Sequence, residues 1–255
     1  MKIHQVKTRL SNSYVIEDFR DGEPQLLVID VAVACHRYVL GFIESDLKYP
    51  IHCVRAVTFT HDDPDHYGGV LALAGLCGAP VYAPYGSSRS VHKFLNDPAG
   101  VLIRIATSIR ELFRRRSWSM YFSRSRNHAA RLEPNFIGGL EAAREGVDKT
   151  IRLKGGDSIS GFAGWELLHT PGHSWDSCCF YHSASKSIIT GDTLLGSGPQ
   201  KRVVVPAIYS NRKQMQHTLK HLAALEIETI YPGHGSVICD ATAIASEARA
   251  FSAKR

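Results

Sequence analysis

The 255-residue chain contains no run of eighteen apolar residues, so no segment reads as a membrane-spanning helix. Its N-terminus, MKIHQVKTRLSNSYVIED, lacks the long apolar stretch that a secretory signal needs. The six cysteines (Cys35, Cys53, Cys77, Cys178, Cys179 and Cys239) are scattered and form no C-x-x-C pair. Together these absences point to a cytoplasmic protein with reduced, buried thiols and no membrane partner. No internal repeat and no low-complexity linker is visible. Acids are nearly missing from residues 101–131, where Glu111 stands alone against Arg104, Arg110, Arg114, Arg115, Arg116, Arg124, Arg126 and Arg131. That window carries +7 in a chain whose formal total is +6, so the basic character belongs to one segment.

Hydrophobic residues make up 44% of the chain, enough for one sizeable core. Residues 12–18 (NSYVIED) and 26–31 (LLVIDV) read as strands joined by a turn at DGEP. YVLGFIESDL has helical apolar spacing, and VRAVTFT reads as a short buried strand. HYGGVLALAGLCG follows as a helix ending at Gly78, then APVYAP as a strand. Residues 86–145 break the rhythm and look mostly helical, with arginines interleaved among apolar and aromatic side chains. Strands return with WELLHT, CCFYH and KSIITGD. NRKQMQHTLKHLAAL reads as an amphipathic helix capped by Ser210 or Asn211, and IETIYPGHG as a last strand. The expectation is a single domain, 1–255, with a helical arginine-rich insert at about 86–145.

The densest chemistry lies in TFTHDDPDHYGG, where two histidines and three aspartates fill His61 to His66 at the end of an apolar strand. Side chains placed there, in the loop before a helix, are positioned for function. Three later turns present further ligand types: His173 in TPGHSWDS, Asp192 in TGDTL and His234 in YPGHG. In each, a strand runs into a glycine turn that offers one His or Asp. Glycine lets the backbone bend tightly beside a bound ion.

The order THDDPDHYGG, TPGHSWDS, TGDTL, YPGHG resembles the metallo-β-lactamase superfamily, whose first motif is H-x-H-x-D-H. The early segments SNSYVIED and LLVIDVA also look like that family's N-terminal strands, so the likeness covers nearly everything except residues 86–145. The resemblance implies an α/β fold, an αββα sandwich of two mixed β-sheets with helices outside. It also implies a dinuclear metal site, in which His61, Asp63 and His173 hold one ion, Asp65, His66 and His234 the other, and Asp192 bridges both. Zinc is the expected metal, with manganese or iron as alternatives. A hydroxide shared by two divalent cations would be the nucleophile, oriented by Asp65 as the catalytic residue. Asp30, at the end of LLVID, matches a family aspartate that supports the ligand loops.

Asp63 departs from the family pattern, which has histidine there; it either ligates the first ion or stands aside with only one ion held. A third carboxylate lowers the formal charge of the centre, hardens it toward oxygen-preferring ions and makes it less electrophilic. His169 reads as structural. Tyr209 is a candidate proton donor to a leaving group.

The function expected is hydrolysis of an ester, thioester, lactone or phosphodiester of a small, anionic substrate. Its anionic group would be met by arginines of the insert, Arg114, Arg115 and Arg116 among them. Two other readings stay open. Eight arginines with Trp118 and Tyr121 suit a nucleic-acid phosphodiesterase. A carboxylate at position 63 suits iron-dependent redox chemistry on the same fold, although the chain has no room for the flavodoxin domain of such members. The insert also suits a contact between subunits of a homo-oligomer.

Overall fold

A computed structural model describes residues 1–84, 97–113, 150–197 and 201–253. These group into two compact units, one of residues 1–84, 150–153 and 159–162, the other of 97–113, 154–158, 163–197 and 201–253.

The first unit is built on a six-stranded mixed sheet in the order β1-β2-β3-β4-β5-β6. Its strands are β1 (Lys2–Lys7), β2 (Asn12–Arg20), β3 (Glu23–Ile29), β4 (Val54–Thr58), β5 (Val81–Ala83) and β6 (Thr150–Arg152). The turn between β2 and β3 is shorter than DGEP suggests: Glu23 and Pro24 already pair with Arg20 and Phe19. Tyr14, Val15 and Ile16 are consecutive and fully buried, as are Leu26 to Ile29, so neither face of these strands meets water there. From β3 onward the strands run parallel, which sets the C-terminal ends of β3 and β4 side by side. Helix α1 (His36–Ser45) buries Val39 and Ile43, one turn apart, in this unit's apolar core. Helix α2 spans Val70–Cys77 and ends at Gly78 in the left-handed conformation. It starts later than the sequence suggests, because residues 63–68 form a separate turn closed by hydrogen bonds from the His66 and Tyr67 amides to the Asp63 carbonyl.

The second unit carries most of a five-stranded mixed sheet in the order β13-β10-β9-β8-β7. These are β7 (Ser158–Ile159), β8 (Phe162–His169), β9 (Cys178–His182), β10 (Ser187–Gly191) and β13 (Thr229–Pro232). A separate ribbon joins β11 (Leu195–Gly196) to β12 (Val203–Val204). Helix α3 (Pro98–Leu112) begins at Asp97, whose carboxylate accepts from the Gly100 amide at 2.9 Å. Helix α4 (Arg212–Ala223) is capped by Asn211, as its sequence suggests, and buries Met215, Thr218, Leu219 and Leu222 along one face. Helix α5 (Ala243–Ala253) packs with it, and the Arg212 guanidinium lies 4.6 Å from the Phe251 ring centre. No described helix is long and apolar enough to cross a membrane.

Candidate metal centre

In the first unit, β4 ends at Thr58 and the chain turns through Phe59 and Thr60 into His61. Asp30, which follows β3, holds this turn. Fully buried and at a left-handed φ of 61°, it accepts from the Thr60 amide at 2.7 Å and pairs with His66 Nδ1 at 2.8 Å. The Thr60 hydroxyl donates to Asp30 Oδ2 at 3.0 Å, so its oxygen is left to accept from His61 Nδ1 at 3.1 Å. One buried carboxylate thereby orients two imidazoles. Their rings lie 4.3 Å apart, and their Nε2 atoms face carboxylates: His61 Nε2 is 3.2 Å from Asp63 Oδ2, and His66 Nε2 is 3.7 Å from Asp65 Oδ2. The loop is fastened from outside by hydrogen bonds from the Val31 amide to the His66 carbonyl (2.7 Å) and from the Val33 amide to the Pro64 carbonyl (2.9 Å). The Ser11 hydroxyl donates to the Asp65 carbonyl.

The second unit gathers His173, Asp192 and His234. Strands β10 and β13 are parallel and bring Gly191 beside Pro232, so Asp192 and His234 leave adjacent strand ends. The Gly233 amide donates to the Gly191 carbonyl at 2.8 Å and fastens the two turns together. His234 Nε2 lies 3.3 Å from Asp192 Oδ1, and His173 Nε2 lies 3.7 Å from Asp192 Oδ2. His173 sits after the Pro171-Gly172 turn, and its Nδ1 donates to the Ile208 carbonyl at 2.9 Å. Gly172 is required there: at φ 141°, an added Cβ would lie 2.6 Å from the Met215 backbone. Gly235, after His234, is held at φ 91° against the Gly196 carbonyl.

The donor chemistry suits cations. A carbonyl or carboxylate accepts only, so His66 and His173 each carry their proton on Nδ1, and His61 does so through Thr60. In the neutral ring each Nε2 then presents a lone pair, and each faces carboxylate oxygens. Lone pair against carboxylate is repulsive unless positive charge, a proton or a metal ion, lies between them. His61, His66, His173, Asp192 and His234 are all buried, where that repulsion is least screened. These residues therefore fit divalent ions, which prefer such mixed nitrogen and oxygen donors.

Each of the seven predicted ligand positions falls in one of these two clusters, four in the first unit and three in the second. Asp63 stands beside His61 as a donor but is itself partly exposed, at 18%. His169 is bound through Nε2 to the Trp175 carbonyl at 2.8 Å, a loop-bracing contact. The Tyr209 ring sits edge-on to Phe251, with centroids 6.0 Å apart. Arg114, Arg115 and Arg116 lie outside the described residues. Sequence reasoning missed Thr60 and the Ile208 carbonyl as orienting groups, and it did not single out Arg104, whose Nη2 is 3.4 Å from His173 Nε2. Only its membership of the +7 window hinted at Arg104.

The chain is similar to curated proteins over short stretches. It is 44% identical over 73 residues to a probable hydroxyacylglutathione hydrolase of Schizosaccharomyces pombe, covering 27% of each chain. It is 37% identical over 73 residues to an atrochrysone carboxyl ACP thioesterase of Aspergillus fumigatus, covering 29% of this chain and 16% of that one. The match thus spans less than a third of either relative's length. Among solved structures, a metallo-beta-lactamase family protein from Thermus thermophilus superposes with a TM-score of 0.61 at 22% identity, over 98% of this chain and 78% of that one. That likeness bears on the fold, and two mixed sheets with their own helices agree with it. The family model described as metallo-beta-lactamase superfamily matches residues 6–234, so the chain belongs to the metallo-beta-lactamase superfamily.

Proposed function

We propose that the chain is a metal-dependent hydrolase that cleaves a thioester of a small anionic substrate. In this reading both ligand clusters serve one centre for two divalent ions, zinc being the expected metal. His61, Asp63 and His173 hold one ion, Asp65, His66 and His234 hold the other, and Asp192 bridges them. The observation that carries the reading is that His61, His66 and His173 are each held through Nδ1, with Nε2 turned to carboxylate oxygens. The names of the two curated relatives, a hydroxyacylglutathione hydrolase and an ACP thioesterase, favour a thioester among the bonds this family opens.

When bound, two divalent cations lower the pKa of a shared water from about 16 to about 7 and polarise the scissile carbonyl. The chain's own residues supply position and proton handling. Asp30 keeps His61 and His66 in the metal-binding tautomer. Asp65 accepts the proton of the attacking water and fixes its direction toward the carbonyl carbon. The thiolate that departs has a conjugate acid of pKa about 8.5 and leaves without a dedicated proton donor. That agrees with a Tyr209 ring packed on Phe251.

The test is a panel of thioester, ester, lactone and phosphodiester substrates offered to zinc-loaded protein, with a hydroxyacylglutathione as the first thioester. The expected result is the highest kcat/KM for a thioester, abolished by a chelator and restored by zinc. Preferred cleavage of RNA or DNA would replace this reading with the nucleic-acid one. Activity confined to the iron form, with consumption of oxygen, would replace it with redox chemistry.

A further inference from the structure

Helix α3 belongs to the arginine-rich window, and it is tied to the same short loop that orients His173. The Arg110 guanidinium donates to the Ala207 carbonyl at 3.1 Å. The next residue, Ile208, accepts from His173 Nδ1 at 2.9 Å. The next again, Tyr209, donates its amide to the Thr107 hydroxyl at 3.4 Å. Three consecutive loop residues thus hold the helix and the histidine in one frame. From that frame Arg104, one turn before Thr107, reaches His173 Nε2 at 3.4 Å.

This is the nitrogen whose lone pair an ion would take. A guanidinium is permanently charged and donates only, so it cannot share that lone pair with a metal. When the ion is in place, Arg104 must turn aside on its flexible stem, which keeps its charge beside the ion. A guanidinium takes a carboxylate or phosphate through two parallel hydrogen bonds. The geometry points to Arg104 as a specificity-determining residue that binds the substrate's carboxylate or phosphate beside the ion on His173. The inference rests on the two-ion reading above and names the residue that makes that centre prefer anions. It also bears on Asp63. Two divalent cations, three carboxylates and a hydroxide leave no net charge, and one guanidinium makes the centre attractive to an anion again.

The test uses inorganic phosphate as probe. Wild-type protein, Arg104→Met and Arg104→Lys are loaded with zinc, freed of excess and titrated calorimetrically at fixed salt. Zinc retention against a chelator is measured without phosphate, and thermal melting confirms folding. Arg104→Met is expected to weaken phosphate by about tenfold or more, the worth of a charge-assisted hydrogen bond. Arg104→Lys should fall between. With the competing cation gone, Arg104→Met should hold zinc more tightly than wild type. Phosphate affinity within twofold of wild type in both variants would overturn the proposal. So would easier loss of zinc from Arg104→Met, which is what a merely structural arginine would give. Should Arg104→Met fail to fold, Arg104→Lys decides by the same two readouts. Wild-type protein that holds no zinc would sink the two-ion reading and this inference together. Wild-type protein that holds zinc and cleaves no thioester would sink only the substrate class, because phosphate binding and zinc retention need no turnover.

Discussion

Asp30 orders the first ligand cluster through one buried carboxylate, so its replacement should be felt at the metal and not only in stability. Asp30→Ala is expected to cost about 10–100-fold in metal affinity, the usual worth of a group that orients ligating histidines. Asp30→Asn, which tolerates the left-handed backbone, should cost less; equal affinities in a zinc titration of both variants would contradict the role. In the proposed centre, Asp63 would set the hardness. Asp63→His is expected to raise the preference for zinc over manganese, measured by competition between the two ions. An unchanged preference, together with unchanged metal content in Asp63→Ala, would make it a bystander. The cysteines divide by burial. Desolvation pushes the Cys77 thiol up to about 11 and that of buried Cys178 well above its ordinary range. At pH 8 only about 0.1% of Cys77 is thiolate, so iodoacetamide should label exposed Cys239 first and leave Cys77 and Cys178 largely intact.

Strand and turn elements decide which of these residues was legible. The ligand turns could be read because each follows a buried run whose composition is unambiguous, such as VRAVT before His61 or SIITG before Asp192. Strand β1 was not read: KIHQVK mixes charges with half-buried residues, and only its pairing with β2 makes it a strand. Helix α5 was not read either: its buried Ile244, Ala248 and Phe251 recur at i, i+4 and i+7, but alanines all round AIASEARAFSA leave that face little contrast. Orienting bonds such as His173 to the Ile208 carbonyl join distant segments through backbone atoms, which no residue type advertises. Two predictions belong at this scale. Gly172→Ala should displace His173 by forcing a Cβ onto α4, and should lower both the melting temperature and the zinc content; a variant with native zinc content would contradict the account. Where β2 meets the chain after α1, Glu17 accepts from Tyr49 Oη at 2.6 Å and pairs with His4 at 2.7 Å. The Tyr49 hydrogen bond, then His4, holds its carboxyl below the ordinary range. A lowered carboxyl contributes stability that is present above its unfolded pKa, about 4.3, and is lost as pH falls through the folded value. Glu17→Gln should therefore cost about 1 kcal/mol near neutral pH, about 2–4 °C in Tm. The difference should shrink below about pH 4; a gap that stays constant with pH would contradict this origin.

At the scale of the molecule, each unit brings its own mixed sheet, its own apolar core and one ligand cluster. The order of the four motifs along the chain was enough to name the family, because ligand types after glycine turns are a pattern few folds share. The substrate was not legible, because Arg114, Arg115 and Arg116 carry no spacing rule that ties them to the motifs, and Arg104 is recognisable only once α3 is seen beside His173. Ions that bind only the folded chain add their binding free energy to its stability, so chelation should lower Tm and zinc should raise it. The central claim is that both clusters feed one two-ion centre bridged by Asp192. It is tested most directly by elemental analysis of wild-type protein and of Asp192→Ala, each purified without added metal. The account predicts two ions per chain in the wild type, and none, or one loosely held, in the variant. A wild-type protein without bound metal, or an Asp192→Ala variant that keeps two tightly held ions, would contradict it.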